Sequence, residues 1–212
     1  MEKASRGFTL IELMVVAVIA GVLAAIAIPN FLKYQMRSKF CEAFSNLEAL
    51  HKAEEALNES ERIVSVNGTP LGAANYVPGQ YWNLGGGVLP AAGTVGTQKL
   101  HWTTVDLGIT SALDWQIEGS TYFKYGVATP CGGVPAAAQA GVCYGAGAIS
   151  DIDGDGVNGN VALVKPSRNG TAPAVFGAGI AFPGPPGSGC FPSGGSSTVF
   201  GIPCASTLPD VY

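Results

Sequence analysis

GFTLIELMVVAVIAGVLAAIAIPNFLKYQMRSKFCEAFSNLEAL, residues 7–50, decides how this chain is read. From Phe8 to Ile28 every residue is uncharged except Glu12. A run of about 20 apolar residues is the length of helix that crosses a bilayer core. The preceding residues 1–7, MEKASRG, are polar and carry Lys3 and Arg6. Positive charge there favours keeping that end in the cytoplasm. The run therefore reads as a membrane-inserted helix with its N-terminus inside. Glu12 is the exception. A carboxylate inside such a helix costs roughly 2.5–3.5 kcal/mol near the centre, less toward an end, and usually has a partner.

The helical pattern does not stop at membrane length. Phe40, Ala43, Phe44, Leu47, Leu50 and Leu57 recur at spacings of three, four and seven, with Lys33, Arg37, Lys39, Glu42, Glu48, Lys52 and Glu55 largely elsewhere. Helix formers dominate to Glu61, where Ile63-Val64-Ser65-Val66 takes over. A helix from Phe8 to Glu61 would be about 80 Å long at 1.5 Å per residue. That exceeds what a compact domain needs, so the first half should project and the second should pack on a globular head. Pro29 removes one backbone hydrogen bond and crowds the preceding turn, which predicts a kink. Phe31, Tyr34, Phe40 and Phe44 read as packing residues between helices or against the head.

These residues closely resemble the N-terminus of type IV pilins, with GFTLIE as the prepilin cleavage motif. The resemblance covers roughly a fifth of the chain, and its motif is among the more specific short signals in bacterial sequences. It implies a cut between Gly7 and Phe8 by a membrane-bound prepilin peptidase, and N-methylation of the new terminus, Phe8. It also implies that Glu12 pairs with the Phe8 amine of a neighbouring subunit and sets the assembly register. Physical chemistry accommodates these roles. Gly7 lets a protease approach its carbonyl closely, and a paired carboxylate and amine offset a burial that neither tolerates alone.

The same resemblance implies an α+β fold, a long kinked N-terminal helix packed on an antiparallel sheet. Its parts would be a leader (1–7), a transmembrane or filament-core helix (8–29), an amphipathic stem (30–62) and a β-rich head (63–212). Around Pro29 the helix would lose structure in the filament. The implied role is a structural polymer subunit, not an enzyme, supporting twitching motility, adhesion and DNA uptake. Its partners would be its own copies, the peptidase, an inner-membrane platform with its ATPase, and membrane lipid before assembly. The precursor would sit in the bacterial inner membrane and the product in an extracellular pilus. The stem sequence is closer to pilins than to type II secretion pseudopilins, and the proline-rich sheet signature of major pseudopilins is missing. Other readings stand beside this one: a pseudopilin; a simple anchor whose Glu12 reaches toward the interface; and a secreted calcium-binding module cut at Ala25-Ile26-Ala27, an A-x-A signal-peptide site.

Composition agrees with an extracytoplasmic protein. Charged residues make up 12%, against about a quarter in ordinary soluble domains, and the net charge of −4 gives no basic surface for nucleic acid. Of five cysteines, Cys131, Cys143, Cys190 and Cys204 form two close pairs in Gly/Pro-rich surroundings. They suit disulfides in an oxidising compartment, with Cys131–Cys143 and Cys190–Cys204 favoured among three pairings. Cys41, on the helical pattern, reads as a small buried apolar residue. Lys99–Asp106, Leu113–Glu118, Thr121–Ala128, Val142–Ile149 and Asn160–Lys165 read as strands, with Phe123, Tyr125 and Val127 on one face. Residues 177–195 are Gly/Pro/Ser-rich and read as a surface loop.

Asp151, Asp153 and Asp155, with the Val157 carbonyl, resemble the start of a calcium loop. The twelfth position, where a bidentate Glu belongs, holds Ala162. A solvated hairpin turn explains the Asp-Gly steps equally well. No cofactor is required, and calcium is the one metal the sequence suggests.

Overall fold

The computed structural model describes residues 7–60, 65–66, 69–70, 81–82, 84, 87–128, 144–165 and 203–207. A single helix, α1 (Leu10–Ser60), runs through 51 residues, and Pro29 lies inside it with helix on both sides. Its two halves meet different surroundings. From Phe8 to Tyr34 the large apolar side chains are exposed, Phe8 at 83% and Leu10 at 77%. Phe40, Ala43, Leu47, Leu50 and Leu57 are buried on one stripe, with Met36, Phe44 and Ala53 packed beside it.

After α1 come β1 (Ser65–Val66) and β2 (Thr69–Pro70), which pair with each other, then β3 (Val88–Leu89), β4 (Leu100–His101) and α2 (Thr104–Thr110). β5 (Ser120–Thr121), β6 (Lys124–Ala128), β7 (Tyr144–Ser150), β8 (Gly159–Lys165) and β9 (Cys204–Thr207) complete the described elements. The main sheet is antiparallel in the order β3-β6-β7-β8-β9, and β4 pairs separately with β5. The register irregularity between Asn160 and Val161 sits where β9 joins β8.

Strand alternation supplies the other side of the core. Phe123, Tyr125 and Val127 are buried as expected, together with Tyr144, Ala146 and Ala148 from β7 and Val161 and Leu163 from β8. This face covers the α1 stripe, and full burial of each Leu or Phe contributes about 1.5–3 kcal/mol. Polar ties fix the angle. Asn46 Nδ2 donates to Tyr125 Oη at 2.7 Å, and the Tyr122 N–H donates to Glu42 at 3.0 Å. Trp102 and Trp115 stand edge-on at 5.8 Å, and both stack near Tyr125.

Four expectations need correction. Thr121–Ala128 is not one strand: Thr121 belongs to β5, Tyr122 and Phe123 form a bend, and β6 begins at Lys124. Leu113–Glu118 is not a strand: Ser111–Leu113 is a 3₁₀ turn, and Asp114 follows in the left-handed region at φ 54. Leu113 and Trp115 are separate buried anchors, so their alternation mimicked a strand. In Lys99–Asp106 only Leu100–His101 is strand, because Thr103 caps α2. The Thr103 hydroxyl accepts the Asp106 N–H, while the Asp106 carboxylate accepts the Thr103 N–H at 2.9 Å. Cys41 is an exposed free thiol. It follows Phe40 directly, and one residue turns about 100° around a helix, off the buried stripe.

The β7–β8 hairpin presses against the stem at one point. A Cβ added to Gly159 would lie 2.9 Å from Phe40 Cε2. That ring has little room to yield, since it stands edge-on to Phe123 at 5.3 Å and beside Phe44 at 6.1 Å. Gly159→Val should therefore destabilise the head by about 1–3 kcal/mol through overpacking. Denaturant melts should show it, and Phe40→Leu should recover part of the loss in the double variant.

Candidate functional site: the capped end of α1 and the acidic hairpin loop

At the N-terminus of α1 the sequence Thr9-Leu10-Ile11-Glu12 folds into a capping box, in which the first and fourth residues satisfy each other's orphan backbone donors. The Glu12 N–H donates to Thr9 Oγ1 at 3.3 Å. In return Glu12 Oε2 accepts the Thr9 N–H at 3.1 Å and the Thr9 hydroxyl at 2.8 Å. Both return bonds fall on Oε2, and among the described residues Oε1 accepts none. The carboxylate that seemed partnerless inside an apolar run thus has a local partner, with one oxygen left for a second donor. Gly7 lies just outside the cap, exposed, with nothing within 4 Å of the place a Cβ would occupy. Gly7, Phe8, Thr9 and Glu12 so form one exposed segment at the start of α1. Residues 1–6 of the leader lie outside the described residues, as do Cys131, Cys143 and Cys190. The disulfide expectations therefore fall outside them too; Cys204 is placed by its backbone, opening β9 opposite Ala162.

The acidic residues lie in the loop joining β7 to β8. Carboxylate oxygens of Asp151, Asp153 and Asp155 all come within 4.8 Å of one another. The loop also closes on its own backbone. Asp151 accepts the N–H groups of Gly154 (2.8 Å) and Gly156 (3.3 Å), and Asp155 accepts that of Val157 (2.7 Å). Gly154 and Gly156 adopt φ 78 and 84, which glycine takes without strain. Asp153 Oδ1 is buried without a hydrogen-bond partner, and burial, then the Asp155 charge, raises its carboxyl above the usual range. Ala162 lies in β8 opposite Gly147, so no carboxylate closes the loop from that position.

A third cluster, absent from the sequence reading, ties the end of the stem to the sheet. Glu55 accepts from Lys165 Nζ at 2.7 Å and from the Tyr81 hydroxyl at 3.0 Å, while His51 Nδ1 meets the Tyr144 hydroxyl. Glu54 is fully buried: Oε2 accepts the Trp82 N–H at 3.0 Å, and Oε1 has no partner. Burial first, with the like charge of Glu55, pushes its carboxyl up to about 8. Burial also depresses the His51 imidazole and raises the Tyr144 phenol. The sequence reading placed Glu55 off the apolar stripe and gave His51 and Glu54 no role, although Glu54 sits between Leu50 and Leu57 at the spacing of that stripe.

One long helix with an exposed apolar half and a capped, accessible start, carrying an antiparallel sheet on its other half, is the architecture of the pilin fold. Residues 3–28 match the family model of the prokaryotic N-terminal methylation motif. The type IV major pilin protein PilA of Myxococcus xanthus is 59% identical over 59 residues, 27% of this chain and 27% of its own length. A fimbrial protein of Pseudomonas aeruginosa is 52% identical over 64 residues, 30% of this chain and 42% of its own. The fimbrial protein EcpC of Eikenella corrodens is 38% identical over 111 residues, 51% of this chain and 71% of its own. The chain thus spans less than half the length of the first two relatives and most of the third. No solved structure matches it. The chain belongs to the type IV pilin family.

Proposed function

We propose that this chain is a structural subunit of a type IV pilus, cut between Gly7 and Phe8, N-methylated at Phe8 and polymerised through α1. The observation that carries the reading is the exposed apolar stretch from Phe8 to Tyr34, which begins at a cap whose Glu12 Oε1 accepts no hydrogen bond among the described residues. Apolar surface on this scale is not left in water. Lipid covers it first in this reading, and the α1 helices of other copies cover it in the filament. The Phe8 amine released by the cut then meets Glu12 Oε1 of a neighbour and fixes the register. Prepilin peptidase, an inner-membrane platform and its ATPase are the partners this assembly requires. Motility, adhesion and DNA uptake are activities such a filament serves.

Mass spectrometry of the mature chain tests the reading. N-methyl-Phe8 at the terminus supports it, while a chain starting at Ile28 overturns it in favour of an ordinary secreted protein. Deletion of the gene should remove surface filaments; loss of exoprotein secretion with filaments intact would make the chain a pseudopilin. Gly7→Leu should leave uncut precursor in the membrane, because the cleft must then accept a branched side chain where it met none. Immunoblots of membrane fractions should show most of the chain at the precursor mass.

Calcium is the accessory ligand we propose for the β7–β8 loop, held by the carboxylates of Asp151, Asp153 and Asp155 and the Val157 carbonyl. The buried, partnerless Asp153 oxygen favours this over a turn alone. With extracellular-type affinity of about 0.1 mM, 1 mM calcium adds about 1.4 kcal/mol and raises Tm by about 3–5 °C. Asp153→Ala should abolish the rise, and a Tm indifferent to calcium in the unaltered protein would leave the self-closed turn.

A further inference from the structure

Three cations follow one another along α1 where its exposed half meets the head, and a fourth from the head shares a ring with the last of them. Lys33, Arg37 and Lys39 follow the apolar run, and Glu42 is the one acid between residues 13 and 47. The head adds Lys99, from the loop before β4. Lys39 Nζ lies 4.8 Å and Lys99 Nζ 5.0 Å from the centroid of the same ring, Tyr122. That ring is fixed to the stem because the Tyr122 N–H donates to Glu42. Arg37 and Lys99 are exposed, Lys33 and Lys39 half-buried. Below them Phe31 and Tyr34 are exposed at 60% and 68%.

Distances along the helix place the foot of this collar, Lys33, in the polar layer of a bilayer, with Lys39 and Lys99 above it. At 1.5 Å per residue, Lys33 lies about 7.5 Å beyond Ile28 and Lys39 about 16 Å. The polar layer on each face of a membrane is about 5–8 Å thick, and lysine and arginine stems extend several ångströms toward it. Aromatic rings settle at the same level. Basic residues next to a membrane span are drawn to anionic lipid, an attraction that fades over a Debye length of about 10 Å.

We propose that the Lys33–Arg37–Lys39–Lys99 collar seats the head on the anionic phospholipid headgroups of the outer leaflet before the subunit is extracted into a filament. Lys99 is the head's own contact; the other three belong to the stem. The proposal rests on the reading of residues 8–29 as a membrane span.

Full-length chain is reconstituted in nanodiscs of phosphatidylcholine with 20% phosphatidylglycerol at about 0.1 M salt, and the lipid it retains is counted by native mass spectrometry. The expected result is a several-fold enrichment of phosphatidylglycerol over its bulk share. Lys39→Gln/Lys99→Gln should lose at least half of that enrichment, and Lys39→Arg/Lys99→Arg should keep it, with unchanged melting curves showing that both variants fold. No enrichment in the unaltered chain, or equal enrichment in the Gln variant, overturns the proposal. Lys99 shielded from amine labelling equally in pure phosphatidylcholine, only when two copies share a disc, also overturns it and makes a second chain the occupant. Carbonate extraction separates the two readings: a chain that leaves the bilayer defeats the span itself, whereas one that resists extraction without enrichment defeats only the collar.

Discussion

Glu12→Gln should yield a subunit that inserts in the membrane and folds its head but builds almost no filament, with piliation lowered at least ten-fold by electron microscopy or sheared-pilus yield. Glutamine retains an oxygen to accept the Thr9 N–H, so the capping box survives. What it removes is the charge that, in the proposed filament, would face the neighbour's amine. Thr9→Ala does the reverse: it weakens the cap by about 0.5–2 kcal/mol and leaves the charge in place, so its effect on assembly should be smaller. Normal piliation of Glu12→Gln would rule out the register role, and an equal defect in both variants would assign Glu12 to capping alone.

Stability of the head should fall as pH rises from 6.5 to 8, and Glu54→Gln should flatten that slope. Glu54 titrates at about 8 when folded, against 4.5 when exposed. Its stabilising proton is therefore fully retained in both states below about 4.5, and the folded state loses relative stability between about 4.5 and 8. The slope approaches about 1.4 kcal/mol per pH unit in the middle of this window. His51 acts in the opposite sense. Burial depresses its folded value below 6.5, so its contribution is lost as pH falls through the acid side. The two overlap below pH 6.5, which leaves the interval from 6.5 to 8 to Glu54. Thermal melts of the chain and its Gln variant at pH 6.5, 7.2 and 8 measure the difference. A parallel slope in both would mean that the carboxyl is ionised and paired.

The stem was legible in the sequence because one periodic signal ran through it: Phe40, Ala43, Leu47, Leu50 and Leu57 lie on the buried stripe that their spacing required. β6, β7 and β8 were legible too, since alternation at Phe123, Tyr125 and Val127 sets one face. Neither cap was read, although Thr9-x-x-Glu12 and Thr103-x-x-Asp106 have the spacing of capping boxes. Glu12 was weighed against the membrane, which hid its local partner, and Thr103 sat inside a run taken for a strand. Glu54 was missed although it lies four residues after Leu50 and three before Leu57, on the same buried stripe; its partner, the Trp82 N–H, comes from 28 positions away and had no sequence signal.

Because α1 is a single helix that, among the described residues, packs on the head from about Met36 to Leu57, the filament proposed above would give each subunit a defined load path. Tension along a fibre enters through the apolar half and reaches the head by the buried stripe and by the ties at Glu42, Asn46 and Glu55. Those ties act in parallel and share the load. Pro29, upstream of every one of them, has no N–H to contribute to the rod. In the proposed filament it would be the first link to yield, so that a pulled subunit would lengthen there while the head kept its shape.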